Sequence, residues 1–251
     1  MKASEKQVLY NLIKTSQDYF RFFSDKTEVP ISFTDDITDT TDTNSTVHTD
    51  ITEAQCSAPT TQTESATMDV LHGKVAKCTR CNLARTRQNT VFGEGVQNPL
   101  VMVIGEGPGA DEDASGRPFV GKAGQLLDKM LSAISLSRNT NCYIANIVKC
   151  RPPQNRDPLP EERACCISFL DAQIHILKPK MILCVGKVAS QTLLKTSDTV
   201  AQMRQNLYEY KGIPLMMTYH PSALLRDESL KRPAWEDLKI FKKNLDRIIN
   251  Q

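Results

Sequence analysis

LVMVIGEGPGADED, residues 100–113, runs from an unbroken apolar stretch into a glycine turn and then into three carboxylates. An apolar run this short and without alternation suits a strand buried on both faces, as in parallel sheets covered by helices. Three further runs share the pattern: CYIANIV (142–148), MILCVG (181–186) and PLMMTY (214–219), each bounded by turn residues. Helical spacing falls between and after them, at 122–136, 160–177, 187–195 and 235–249. This alternation predicts an α/β fold, a three-layer α/β/α sandwich with a central four-stranded parallel sheet, over residues 70–251. Ligands bind such sheets beyond the C-terminal strand ends. Glu106 after the first strand, Asn146 near the end of the second and His220 after the fourth therefore fall where a site is expected.

Two glycine patterns near the first strand imitate nucleotide sites. Gly105-Glu106-Gly107-Pro108-Gly109-Ala110 fits GxGxxA, but that fingerprint needs a helix to start in the turn so that its N-terminus meets a pyrophosphate. Here Pro108 and then Asp111, Glu112 and Asp113 follow, and carboxylates repel phosphate. GRPFVGKA (116–123) fits GxxxxGK but ends in Ala where a P-loop needs a Ser or Thr for magnesium. What these glycines permit is close backbone approach to a compact ligand, with Phe119 able either to stack on a flat ring or to pack in the core.

Composition divides the chain in two. Residues 1–70 hold 5 Lys/Arg against 12 Asp/Glu, a balance of −7, and residues 71–251 hold 26 against 17, a balance of +9. A basic body suits a polyanionic partner such as nucleic acid, although scattered solvated lysines read the same way. Leu9, Leu12, Ile13, Phe20 and Phe23 fall at roughly helical spacing, so residues 1–23 are expected to contain a short amphipathic helix that either packs on its own domain or docks a protein partner. Residues 24–69, rich in Thr, Asp and Ser, lack the apolar content to offset their ordering entropy and are expected to be a disordered acidic linker. The polar start MKASEKQVLY is unlike a signal peptide, and no run is long enough to span a bilayer, so a cytoplasmic location is expected.

In that setting, eight cysteines argue for metal ligation or buried thiols over disulfides. Cys78, Cys81, Cys150 and Cys166 are separated by 2, 68 and 15 residues, so a centre built from them would staple much of the chain. Cys142 and Cys184 sit in buried runs and read as packed thiols, and Cys56, in a polar stretch, reads as unligated.

Asn146 places an amide in a buried strand, where it needs either a sheet partner or a ligand; an amide offers the donor and acceptor that a pyrimidine edge requires. His220-Pro221-Ser222 ends the fourth run, and Leu224, Leu225 and Arg226 after it form either an amphipathic loop or an apolar wedge beside a phosphate contact. Taken together, GEGPGADED with GRPFVGKAG (105–124), NIVKCRPPQNRDP (146–158) and HPSALLR (220–226), in this order and with four cysteines, resemble the signature segments of the family 4 uracil-DNA glycosylases. The resemblance covers about residues 77–250 and leaves residues 1–70 outside it.

The resemblance implies an iron-sulfur enzyme that flips uracil out of DNA and hydrolyses its N-glycosidic bond. Its cluster ligands fall on Cys78, Cys81, Cys150 and Cys166, implying a 4Fe-4S centre, with Cys165 the rival for the fourth place and zinc the alternative metal. By the same carry-over Phe119 stacks on uracil, Asn146 reads its edge beside Gly107, and His220 donates toward O2. Glu106 and Glu112 match acidic active-site positions, while Ser222, Leu224 and Arg226 fall at the DNA contact, with Leu224 as the wedge. The better-known family 1 enzymes have Asp where this chain has Gly107, which leaves the water-positioning carboxylate open between Glu106 and Glu112. No motif lysine reads as desolvated enough to act as an amine nucleophile, so a monofunctional enzyme is expected; a monomer is expected as well. A catalytically weak DNA-binding relative and an adduct-forming relative are the other function classes; the latter carry a basic insertion that residues 201–219 lack.

Overall fold

The computed structural model describes residues 67–251. The expected helix within 1–23, most of the expected linker at 24–69, and Cys56 lie outside the described residues. One sheet organises the described chain. β1 (Glu94–Gly95), β2 (Val101–Gly105), β3 (Cys142–Asn146), β4 (Met181–Val185), β5 (Tyr208–Tyr210) and β6 (Ile213–Thr218) lie in the order β1-β3-β2-β4-β6-β5. The four apolar runs are the four parallel strands β3, β2, β4 and β6. Two short antiparallel edges make the sheet six-stranded rather than four-stranded. Neither edge had an apolar run to announce it: β1 is two residues, and β5 is the half-buried YEY, paired to β6 through a turn at Lys211 and Gly212, both at positive φ.

The helices are α1 (Met68–Ala76), α2 (Ala110–Ser115), α3 (Lys122–Ser132), α4 (Pro160–Leu177), α5 (Lys187–Leu194), α6 (Val200–Met203), α7 (Pro221–Arg226) and α8 (Lys231–Ile249). α1 starts within the last residues of the expected linker, because the Thr67 side chain accepts the Val70 N–H and caps it. α3 stops four residues short of the expected 136. Ser135 turns left-handed, and the Leu136 N–H donates back to the Leu131 carbonyl, a Schellman closure.

Alternation of side chains along the buried strands separates two cores. Met102, Ile104, Ala145, Ile182, Cys184 and Met217 pack with Leu170, Ile174 and Leu177 of α4 and Leu193 of α5. Val101, Val103, Ile144, Leu183, Val185 and Met216 pack with Leu127 and Leu131 of α3 and Leu238, Phe241 and Leu245 of α8. That is the expected sandwich. The chain passes from β2 to β3 on one side and later from β4 to β6 on the other, so the strand order reverses between β2 and β4. A doubly wound sheet opens its ligand crevice at such a switch point. Among the described residues no helix is long and apolar enough to cross a membrane.

Candidate active site

The crevice is present where the topology puts it. Glu106 and Gly107 after β2, Asn146 at the end of β3, Lys187 after β4 and His220 after β6 share a cavity of about 650 Å³, closed on one side by Phe119. In-register pairing of Gly105 with Asn146 brings the first two motifs side by side. A Cβ on Gly105 would stand 2.5 Å from Asn146 Oδ1 and 2.6 Å from Phe119 Cζ, so only glycine lets the amide and the ring meet. Asn146 is buried, and its Oδ1 has no hydrogen-bond partner. An unmet buried acceptor costs about 1–3 kcal/mol, which a ligand donor would relieve.

His220 caps the start of α7, with Pro221 at the first helical position. Its Nδ1 accepts the Ser222 N–H at 3.1 Å and lies 2.7 Å from Ser222 Oγ. With Nδ1 accepting, the ring proton of the neutral form sits on Nε2. Burial first, then the positive charge of Arg226, pushes the His220 pKa down to about 4, with Glu112 pulling weakly the other way. The Phe119 ring lies 5.7 Å from the imidazole, centroid to centroid.

The two candidate carboxylates have different surroundings. The Glu106 carboxylate has no hydrogen-bond partner among the described residues. Burial, then the neighbouring negative charge of Asp157, raises its pKa to about 7, with Arg163 and Lys187 partly opposing. Glu112 also faces the cavity, but its Oε2 accepts the Gly109 N–H at 3.0 Å and its Oε1 accepts Val120 N–H at 2.9 Å and Gly121 N–H at 3.0 Å. Those bonds make it a clamp joining two loops. They also explain both nucleotide decoys. A helix does start after the glycine turn, contrary to expectation, but its own Glu112 takes the N–H of its N-cap Gly109 and, in the second glycine pattern, those of Val120 and Gly121, so a carboxylate sits where a phosphate would be bound.

Ser222 and Arg226 line the cavity, whereas Leu224 does not. Leu224 is 2% exposed and Leu225 is 48% exposed, so the phase of α7 turns the expected wedge inward and its neighbour outward. One correction concerns lysine. Lys149, within the NIVKC segment, is fully buried, but its Nζ donates to the Asn146 carbonyl at 2.9 Å and to Gln173 Oε1 at 2.7 Å. It is desolvated yet committed, and it does not face the crevice. Asp157 and Lys187 are site residues that sequence reasoning passed over; Asp157 lay inside a quoted motif, and Lys187 follows the glycine that ends a predicted strand.

On the α4 side of the sheet, Cys78, Cys81, Cys150 and Cys166 ring a second, small cavity together with Arg80, Arg87 and Lys149. Arg87 Nη1 donates to Cys150 Sγ at 3.1 Å, and the Lys149 N–H donates to Cys166 Sγ at 3.3 Å. Arg80 Nε and Nη2 are buried without a partner, while Arg80 Nη1 donates to Ser168. Cationic donors around four thiols are what a negatively charged sulfur-ligated group needs. Cys165 also borders this cavity; Cys166 is the more buried of the two, and its sulfur accepts the Lys149 N–H. Among the described residues no three His, Cys, Asp or Glu side chains are grouped to hold a single metal ion. Cys142 and Cys184 pack in the two cores; burial pushes the Cys142 thiol up to about 12 and raises that of Cys184 further.

Comparison with known proteins agrees with this geometry. Residues 92–239 match the uracil DNA glycosylase superfamily. A type-4 uracil-DNA glycosylase of Thermotoga maritima is 41% identical over 181 residues, 70% of this chain and 94% of the relative. Those of Pyrobaculum aerophilum, 41% over 68% of this chain and 91% of the relative, and Archaeoglobus fulgidus, 37% over 68% and 90%, are also similar.

Proposed function

Because the chain belongs to the uracil DNA glycosylase superfamily, and within it to the type-4 uracil-DNA glycosylases, we propose that its crevice receives a uracil flipped from DNA and that its own residues release the base by hydrolysis. The carrying observation is the unpartnered Asn146 Oδ1 beside the Phe119 ring. In this pocket Phe119 stacks on the base, the Asn146 Oδ1 accepts from uracil N3–H, and its amide nitrogen donates to O4. Cytosine offers the reverse pattern at both positions, so the amide selects by leaving its groups unmet. Flipping costs a few kcal/mol, recovered through stacking and edge hydrogen bonds.

As the N1–C1′ bond breaks, its electron pair leaves on uracil and water adds to C1′, and the proton that the water loses is finally taken up by the uracil anion. His220, neutral with its proton on Nε2, donates to O2 where that charge collects. Glu106, once ionised, orients the water, and Gly107 lets the turn beside it pack against Val148. Arg226 and Ser222 contact the DNA backbone, and Leu225 rather than Leu224 fills the gap in the duplex. No lysine in the crevice carries the desolvated amine of a strand-cutting enzyme, so the product is an abasic site.

Cys78, Cys81, Cys150 and Cys166 would hold a 4Fe-4S cluster, with Arg80 and Arg87 offsetting its charge. When bound, it would tie the segment after α1, the loop after β3 and α4 into one unit. Thiolate ligation and a DNA substrate suit a cytoplasmic setting. Incubation of the full chain with a single-uracil oligonucleotide tests the proposal: free uracil released over many turnovers supports it, and a stable protein–DNA adduct or binding without release contradicts it.

A further inference from the structure

We infer that Arg138, outside every motif, is the positioning residue for the stacking ring of Phe119; this rests on the pocket assignment above. Phe119 is a bulky residue held at φ 52, a left-handed conformation that such side chains rarely adopt. Something must hold it there. On one side, Glu112 receives the N–H groups of the next two residues, Val120 and Gly121. On the other, the guanidinium of Arg138, only 9% exposed, donates Nη1 to the Pro118 carbonyl and Nη2 to the Phe119 carbonyl, both at 2.9 Å. The same group donates Nε and Nη2 to Asp128 Oδ1 of α3 at 3.0 and 2.9 Å and stands 3.6 Å from Glu94 of β1. From α3 the turn is closed again: a Cβ on Gly124 would fall 1.9 Å from the Phe119 oxygen.

One planar fork therefore grips two consecutive carbonyls of the strained turn while anchored to a helix and an edge strand. A lysine could keep the charge opposite Asp128 but not the two-pronged grip. Because Arg138 does not itself line the crevice, it acts through Phe119.

A double-mutant cycle in the full chain tests this, read by single-turnover uracil excision and by inhibition with free uracil. Arg138→Met is expected to slow excision and weaken uracil inhibition by about tenfold each, the order for loosening one base–aromatic stack. Arg138→Lys should fall between it and wild type. In a Phe119→Ala background, Arg138→Met should cost less than about twofold more, since a residue acting through the ring has nothing left to position. An equal loss in both backgrounds, or wild-type rate and uracil inhibition in both Arg138 variants, would overturn the inference. If Arg138→Met does not fold, the cycle run with Arg138→Lys decides by the same comparison. Wild-type excision by Phe119→Ala would instead overturn the pocket assignment, and this inference with it.

Discussion

At the scale of single residues, the pocket separates two titrations that its histidine and glutamate would otherwise share. His220 has its pKa lowered to about 4 by burial, so it stays neutral across the working range. Its folded pKa lies below that of the unfolded chain, so its contribution to stability is present above about pH 6.5 and is lost as pH falls toward 4. Glu106 moves the opposite way, up to about 7, so its ionised form accumulates only as pH rises through that value. Single-turnover excision should therefore rise with pH along a limb centred near 7, and Glu106→Gln should flatten that limb as well as lower the rate. A limb unchanged in Glu106→Gln would assign it elsewhere. Glu106, Asn146 and His220 were legible because each stands at or just past the end of a strand marked by a continuous apolar run. The clamp formed by Glu112 was not legible for a physical reason: its three backbone partners come from two loops, and no spacing in sequence reports which N–H groups a folded loop turns inward. Arg138 gave no signal at all, lying in a polar loop whose contacts are all distant in sequence.

Among the elements, the parallel strands and long helices announced themselves through continuous apolar runs and helical spacing. The edges β1 and β5 did not, since an edge needs no two-sided burial. The six-residue α7 shows the limit most sharply. The segment HPSALLR marks a helix start through Pro221 and a DNA-facing position, yet two adjacent leucines cannot reveal which of them the helix turns inward. With Leu224 buried and Leu225 exposed, the two substitutions should behave differently. Leu225→Ala should slow excision from paired uracil more than from uracil in single strands, because only a duplex leaves a gap to fill, and should barely change thermal stability. Leu224→Ala should instead destabilise the fold by about 2–5 kcal/mol with no such substrate preference. Comparing melting temperature and strand preference for both variants checks the assignment; a strand preference confined to Leu224→Ala would return the wedge to that position.

For the whole molecule, two centres share one stretch of chain. Asn146 ends β3 in the crevice, and Cys150 stands four residues later in the thiol ring, with Lys149 between them bonded to Asn146, Gln173 and, through its backbone, Cys166. Cys78→Ala should remove the broad visible absorbance of a bound cluster and lower thermal stability with it, because a ligand lost from such a centre is folding energy lost. Colourless wild-type protein carrying stoichiometric zinc would contradict that centre. The claim on which the rest depends is that neutral His220 stabilises charge on departing uracil. Single-turnover excision by His220→Ala, in protein that keeps its visible absorbance and its affinity for DNA, measures it directly. A rate lower by about 2.7–4 kcal/mol in activation free energy, near 100- to 1000-fold, is the predicted result, and excision at the wild-type rate would contradict it.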